Sequence, residues 1–154
     1  MNVSKRLGAA LIVLGSIAST GTLAAPKDAP CCTLTSPFGS SPTLAWSWGA
    51  SNSGTVSGGG GSGAGKANFQ DLSLTRNTDG QSPQYVHALA AGTHLPTVVL
   101  VDGAATLTLT EVLVTSYSTG GSAGPLTENI TFNFGTLRFT VNGVTTCVGT
   151  GCSQ

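Results

Sequence analysis

Apolar and polar residues alternate along most of this chain with a period of two, which is typical of strands that bury one face. This alternation, or a run of β-branched residues, covers residues 31–35, 43–48, 66–76, 95–101, 105–115, 126–141 and 144–148. The dipeptides Asp102-Gly103 and Asn142-Gly143 separate neighbouring segments and favour hairpin turns. The pattern predicts a mainly β fold, a small antiparallel barrel or sandwich.

The alternation changes phase within residues 126–141. Phe132 and Phe134 belong to one set of apolar positions, and Leu137 and Phe139 belong to the opposite set. Gly135 lies between the two sets. We therefore predict a β-bulge at this glycine.

Residues 79–92, DGQSPQYVHALAAG, interrupt the β pattern and predict one short helix over about 83–91. Ser82 is the expected N-cap, because its hydroxyl can accept a hydrogen bond from an N–H group of the first turn. Pro83 suits the first helical position, where its missing N–H costs nothing. Gly92 can adopt the left-handed conformation that ends a helix.

The spacing of Val86, Leu89 and Ala90 predicts the face that the helix packs on the sheet, with Tyr85 beside it. A helix of about ten residues is marginal alone, so it requires such docking. We expect a packing helix rather than a catalytic one, and we expect His87 and His94 to be surface residues.

The amino-acid composition excludes some classes of function. Charged residues make up 8% of the chain, against about 25% in an average protein, and the formal net charge is zero. Nucleic-acid binding needs clustered Lys and Arg, which are missing from this sequence. Residues 51–65 form a Gly/Ser-rich loop, and a P-loop is excluded because Ala67, not Ser or Thr, follows Lys66.

We find no catalytic pattern in the sequence. No Gly-x-Ser-x-Gly elbow precedes a helix, and we expect Glu111 and Glu128 to be solvated in their threonine-rich surroundings. The sequence therefore predicts a protein that is not an enzyme and uses no cofactor.

The N-terminal residues have the order of an export signal. Lys5 and Arg6 precede the mostly apolar residues 7–18, and Thr22 and Ala24 are small residues at the two positions that a signal peptidase reads. We expect cleavage after Ala24, which leaves residues 25–154 as a single domain without a membrane anchor. The expected location is periplasmic or extracellular.

Export makes the four cysteines disulfide candidates. Adjacent Cys31 and Cys32 bridge each other poorly, because disulfide geometry separates the two Cα atoms further than neighbours allow. Two arrangements remain: both pair with Cys147 and Cys152, or Cys147 pairs with Cys152 and the other two stay free or link two chains. The spacings match no ordinary zinc finger, so we expect no metal site.

The order of motifs resembles one family. Residues 46–49 read WSWG, 67–75 read ANFQDLSLT, and Asp79-x-x-Ser82-Pro83 leads into a helix closed by Gly92. Residues 107–116 and 128–139 follow as long strands. Over about residues 43–141 the chain resembles the Hcp family, the inner-tube protein of the bacterial type VI secretion system.

The resemblance implies a β-barrel with one flanking helix and a non-enzymatic subunit that forms hexameric rings and stacked tubes. Its implied partners are other copies of itself, through sheet edges and the helix region, and secreted effector or spike proteins. We consider three functions: an exported Hcp-like ring or filament subunit, a type VI secretion tube component that carries effectors, and a monomeric exported binding module.

Overall fold

The computed structural model describes residues 29–54, 66–121 and 123–152. The predicted export signal, residues 1–24, and residues 55–65 of the Gly/Ser-rich segment lie outside the described residues. The elements of the described residues are β1 (Cys32–Ser36), β2 (Gly39–Thr43), β3 (Ala45–Ser47), β4 (Ala50–Asn52), β5 (Ala67–Phe69), β6 (Leu72–Asn77), α1 (Ser82–Ala91), β7 (Leu95–Asp102), β8 (Ala105–Gly120), β9 (Thr127–Val141) and β10 (Val144–Gly149).

The main sheet is antiparallel and nearly closed. Its strands lie in the order β2-β1-β7-β8-β9-β6-β3, and β10 also pairs with β9. The two end strands follow each other in the chain and are separated by Leu44, whose N–H donates to the carbonyl oxygen of Thr75 at 2.8 Å. The predicted mainly β barrel with one short helix is therefore confirmed.

The predicted segments 43–48 and 66–76 each divide into shorter strands. Thr43 ends β2, and the following β3 pairs with β6 instead of β1. Strand β5 pairs with β4 in a separate two-stranded sheet. Ser51 and Asn52, which we expected in the Gly/Ser-rich loop, thus belong to a strand, because β5 supplies the backbone partners of both residues.

The long strands β8 and β9 share an irregularity at the position where we predicted a bulge. Their register keeps the same offset from Ala105, opposite Val141, to Val114, opposite Phe132, although Glu111 and Gly135 are not paired. No residue is therefore inserted at Gly135, and the predicted bulge is wrong. Glu111 has a φ of 52° opposite this glycine, so both strands change phase together. The register shift lies between Val114 and Ser116.

Helix α1 begins at Ser82, one residue earlier than predicted. Gln81 precedes the helix without a side-chain cap, and Ser82 is the first helical residue. The Ser82 hydroxyl accepts from the N–H of Asp79 at 2.9 Å, so it holds the preceding turn and the predicted N-cap role is wrong. Gly92 ends the helix in the left-handed conformation, with φ 61° and ψ 34°.

The buried face of the helix agrees only in part with the predicted one: Tyr85 is buried and Leu89 packs against the core, but Val86 and Ala90 are exposed. Ser82, Tyr85 and Ala88 are buried, whereas Val86 is 42% exposed. Tyr85 carries the largest buried side chain on this face, and its ring lies 5.9 Å from that of Phe132. The prediction for Val86 and Ala90 was wrong because it relied on the apolar character of these two residues, whereas the face that is buried includes the polar residue Ser82.

Candidate functional site

A buried cluster of polar side chains connects the motif before the helix to the barrel. Arg76 on β6 is fully buried, and its Nε donates to Oε1 of Glu128 at 2.6 Å. Its terminal nitrogens donate to both carboxylate oxygens of Asp79, at 3.0 and 2.9 Å, and one of them also donates to Ser41. A guanidinium group held on two sides in this way has a fixed position and orientation.

Glu128 is likewise fully buried, so our expectation that it is solvated is wrong. The sheet register places Glu128 directly opposite Arg76, and the hydroxyl of Tyr117 donates to its second carboxylate oxygen at 2.7 Å. The alternation contained a signal that we missed. Leu72 and Leu74 share the inward phase of β6 with Arg76, and Ile130 and Phe132 share that of β9 with Glu128.

Asp79, which is 36% exposed, links this cluster to the start of the helix. Besides binding Arg76, its Oδ1 accepts from the backbone N–H of Gln81 at 2.7 Å. Together with the hydrogen bond to Ser82, these contacts order the turn before α1. Pro83 follows as the second helical residue. The Asp-x-x-Ser-Pro motif therefore joins the helix to β6 and β9.

Tyr85 continues the cluster into the core. Its hydroxyl and that of Ser36 are hydrogen-bonded at 2.7 Å, and the Arg76 guanidinium lies 5.0 Å from the centre of its ring. The ring of Phe38 meets it edge-on at 5.0 Å. Burial raises the pKa of Tyr85, and the contacts with Ser36 and Arg76 oppose that rise. Burial also raises the pKa of Tyr117, as does its hydrogen bond to Glu128.

Both tyrosines of the chain should therefore ionise above pH ~10, the ordinary value for a tyrosine. Their raised pKa values mean that the folded protein holds protons which the unfolded chain releases. This contribution to stability is complete below pH ~10 and is lost as the pH rises through the folded-state pKa values. Ultraviolet titration of phenolate absorbance checks this prediction, with the protein in urea as the control. A single midpoint near 10 in both states would contradict it.

The structure pairs Cys147 with Cys152, whose Cα atoms are 5.7 Å apart, and pairs Cys31 with Cys32. It therefore differs from the arrangement that links the first strand to the C-terminal residues, and Cys31 and Cys32 are bonded to each other rather than free. The Cys147–Cys152 loop lies beside the middle of β9. There, the N–H of Thr150 donates to the Gly135 carbonyl at 3.0 Å.

The outer surface of six adjacent strands carries almost no charge. Val98, Leu107 and Leu137 point into the core, so the neighbours of such residues along each strand point outward. The register aligns these outward side chains in two rows, which we call the neutral outer face: Ser40, Pro42, Thr33, Thr35, Val99, Val101, Thr106, Thr108, Arg138, Thr140, Thr145 and Cys147. Arg138 is its charged residue, and Val101 is 41% exposed near its middle.

His87, His94 and Glu111 are exposed in the structure. Among the described residues, no helix has the length and apolar character needed to span a membrane. The most extensive features of the barrel are thus the buried Arg76–Glu128 cluster and the neutral outer face.

Comparison with known proteins identifies the family. The family described as "Type VI secretion system effector, Hcp" matches residues 39–141, about two thirds of the chain. The chain therefore belongs to the Hcp family. It is similar to Protein hcp1 of Pseudomonas aeruginosa, with 47% identity over 84 residues that cover 47% of this chain and 52% of that protein. The chain thus spans about half the length of the curated relative it matches.

Solved structures show the same fold. A structure of a type six secretion system protein has 23% identity and a TM-score of 0.67, and the match covers 79% of this chain and 93% of that one. The crystal structure of Hcp1 from Salmonella typhimurium has 21% identity and a TM-score of 0.62, covering 75% of this chain and 90% of that one. A type VI secretion system effector from Yersinia pestis has 18% identity and a TM-score of 0.64, covering 77% and 99%.

Proposed function

We propose that this protein is a non-enzymatic tube subunit that assembles with copies of itself into hexameric rings, which stack into tubes or filaments. Membership of the Hcp family supports the proposal, and the neutral outer face is the observation that carries it. Secreted effector or spike proteins are the further partners that a tube of this kind would bind.

The neutral outer face suits repeated contact between identical subunits. Burying a charged side chain carries a large desolvation cost unless a partner charge meets it. On this face only Arg138 would incur that cost, because its other members are threonines, valines, a serine, a proline and a cysteine. Threonine and valine side chains on a strand are also stiff, so little side-chain entropy is lost when they are covered.

A ring of identical subunits needs two different patches that fit each other, because each subunit contacts its neighbours head to tail. Within the described residues, the outer edge of β10 pairs with no other strand, and exposed Val144 lies at its start. This edge and the segment around α1, where Val86 is exposed, are the patches that we propose to meet the neutral outer face of the next subunit.

We also propose that the protein acts outside the cytoplasm, after removal of residues 1–24, as the single domain 25–154. The basic residues, apolar run and small residues of the N-terminal segment support export. In that compartment the Cys147–Cys152 bond would stabilise the end of β10 beside the proposed edge contact. Mass spectrometry of the exported protein should find Ala25 or Pro26 at its N-terminus, and an intact Met1 would refute this part of the proposal.

Replacing Val101 with Glu should convert rings to monomers. The substitution places an unpaired charge near the middle of the neutral outer face, and its desolvation opposes contact with the next subunit. Val101 is already 41% exposed, so the change should alter the free energy of unfolding of the monomer by less than about 1 kcal/mol. Light scattering coupled to size exclusion measures the assembly, and circular dichroism checks the fold.

Val101→Thr is the matched control, because it keeps the shape and the neutrality of the same position. It should assemble like the unaltered protein. Equal assembly of Val101→Glu and Val101→Thr would contradict the assignment of this face. Val86→Glu tests the helix segment in the same way, and unaltered assembly of that variant would exclude α1 from the contact.

A further inference from the structure

Three side chains with metal-binding groups meet where β1 begins and β7 ends. The sulfur atoms of Cys31 and Cys32 and a carboxylate oxygen of Asp102 all lie within 4.8 Å of one another. The register explains their proximity. Thr33 pairs with Val101, so the adjacent position places Cys32 opposite Asp102.

The carboxylate of Asp102 is oriented by a tryptophan. Nε1–H of Trp46 donates to Oδ2 of Asp102 at 2.8 Å, across 56 positions of sequence. This hydrogen bond fixes the orientation of the carboxylate, one oxygen of which lies within 4.8 Å of both sulfur atoms. Hydrogen bonds of this kind to the ligands of protein metal sites fix their orientation and increase the affinity for the metal.

We propose that Cys31 and Cys32, once reduced, bind Zn²⁺ together with Asp102. The pattern of cysteines along the sequence argued against a zinc finger, whereas the structure adds a carboxylate from a distant hairpin. Two thiolates and one carboxylate are ligands that zinc accepts in tetrahedral sites, with water or another donor at the fourth position. The two soft thiolates also disfavour Mg²⁺ and Ca²⁺, which prefer oxygen ligands.

Cys31 is exposed and Cys32 is buried, with 7% of its surface accessible. The exposed residue Cys31 provides the side from which a reductant and then a metal ion reach the pair. Cys32 begins β1, the strand that contributes Thr33 to the neutral outer face. The zinc site does not depend on the proposed assembly. It requires reduction of the Cys31–Cys32 bond, so in an oxidising compartment the pair stays disulfide-bonded and metal-free, and the site is tested on the reduced protein in solution whether or not rings form.

The disulfide and the metal are mutually exclusive. A small dithiol supplies two electrons and two protons when it reduces the Cys31–Cys32 bond, and it becomes a cyclic disulfide itself. Binding of Zn²⁺ then releases the two thiol protons to solvent, because the metal binds thiolates. The oxidised chain should therefore bind no zinc at this site.

The test uses the full chain carrying Cys147→Ser and Cys152→Ser, which removes the other pair of cysteines. After reduction and anaerobic removal of the dithiol, competition with a chromogenic chelator should show one Zn²⁺ per chain. Co²⁺ serves as a spectroscopic probe, since thiolate coordination produces an intense charge-transfer band. Quenching of tryptophan fluorescence by bound Co²⁺ is an independent measure, and Trp46→Phe should remove most of it, because the indole of Trp46 contacts the proposed ligand.

Cys31→Ser should remove most of the charge-transfer band, and Asp102→Asn should lower zinc affinity at least about tenfold while the band remains. Trp46→Phe should lower affinity by roughly 10–100-fold, the usual effect of removing a group that orients a ligand. Asp71→Asn, which changes a carboxylate on the segment before β6, is the control and should have no effect.

Three results would overturn the proposal: no stoichiometric binding by the reduced chain, unchanged affinity in Cys31→Ser, or equal binding by the oxidised and reduced chains. Cys31 is exposed, so its replacement by Ser should leave the fold intact, and circular dichroism verifies this. An affinity unchanged in Trp46→Phe would refute the orienting role of the tryptophan.

Discussion

Replacing Arg76 with Met is expected to lower the free energy of unfolding by about 3–5 kcal/mol, the usual cost of removing one partner of a buried ion pair. The change leaves the carboxylate of Glu128 inside the barrel with Tyr117 as its remaining partner. It also releases Asp79 and with it the turn that begins α1. Urea denaturation at a concentration at which the chain is monomeric measures the loss.

Two further variants separate the buried charge from other effects. Arg138→Met changes the same residue type at an exposed position and should alter stability by no more than about 0.5 kcal/mol. The double variant Arg76→Met/Glu128→Leu removes both charges and should recover much of the loss, because the uncompensated carboxylate is gone. Similar small losses for Arg76→Met and Arg138→Met would show that the cluster contributes little to the fold.

Replacing Tyr85 with Ala is expected to lower the free energy of unfolding by about 3–5 kcal/mol, as for other large aromatic side chains in a core. The ring is fully buried between Phe38, Phe132 and the Arg76 guanidinium. Its removal opens a cavity between the helix and the barrel, and it leaves the Ser36 hydroxyl without its partner. The effect should be visible both in urea denaturation and in faster hydrogen exchange of α1.

The neighbouring residue provides the matched control. Val86 is exposed on the same helix, so Val86→Ala should change stability by no more than about 0.5 kcal/mol. The comparison also distinguishes the observed helix orientation from the one that the sequence predicted, in which Val86 was buried. A larger loss for Val86→Ala than for Tyr85→Ala would favour the sequence-based orientation.

The long strands β7, β8 and β9 were predictable because each has one buried face and adjoins a hairpin turn of recognisable sequence, whereas the short strands β2 and β4 were not predicted. Asn142 and Gly143 both have positive φ values, 49° and 81°, which is the conformation that favours Asn-Gly in hairpins. Gly92 closes the helix with a left-handed conformation for a similar local reason. These features depend on residues close in sequence, so the sequence alone was enough.

The features that were missed depend on pairing between distant residues. The contact between Arg76 and Glu128 spans 52 positions. The inward phase of each residue was readable along its own strand, but that the two charges face each other follows only from the pairing of β6 with β9. The helix orientation was missed for the same reason, since Phe132 and Ser36 select Tyr85 as the docking residue. The helix propensity and the apolar spacing of the ten residues of α1 contain no information about Phe132 and Ser36, which lie far away in the sequence.

The proposed self-assembly is tested most directly by light scattering coupled to size exclusion, across a dilution series of the purified protein under oxidising conditions. We expect a mass six times that of one chain at high micromolar concentration, with ring-shaped particles in negative-stain images of the same fraction. Dilution should shift this species toward monomer. A strictly monomeric mass at every concentration would contradict the ring proposal and favour an exported binding module on the same barrel.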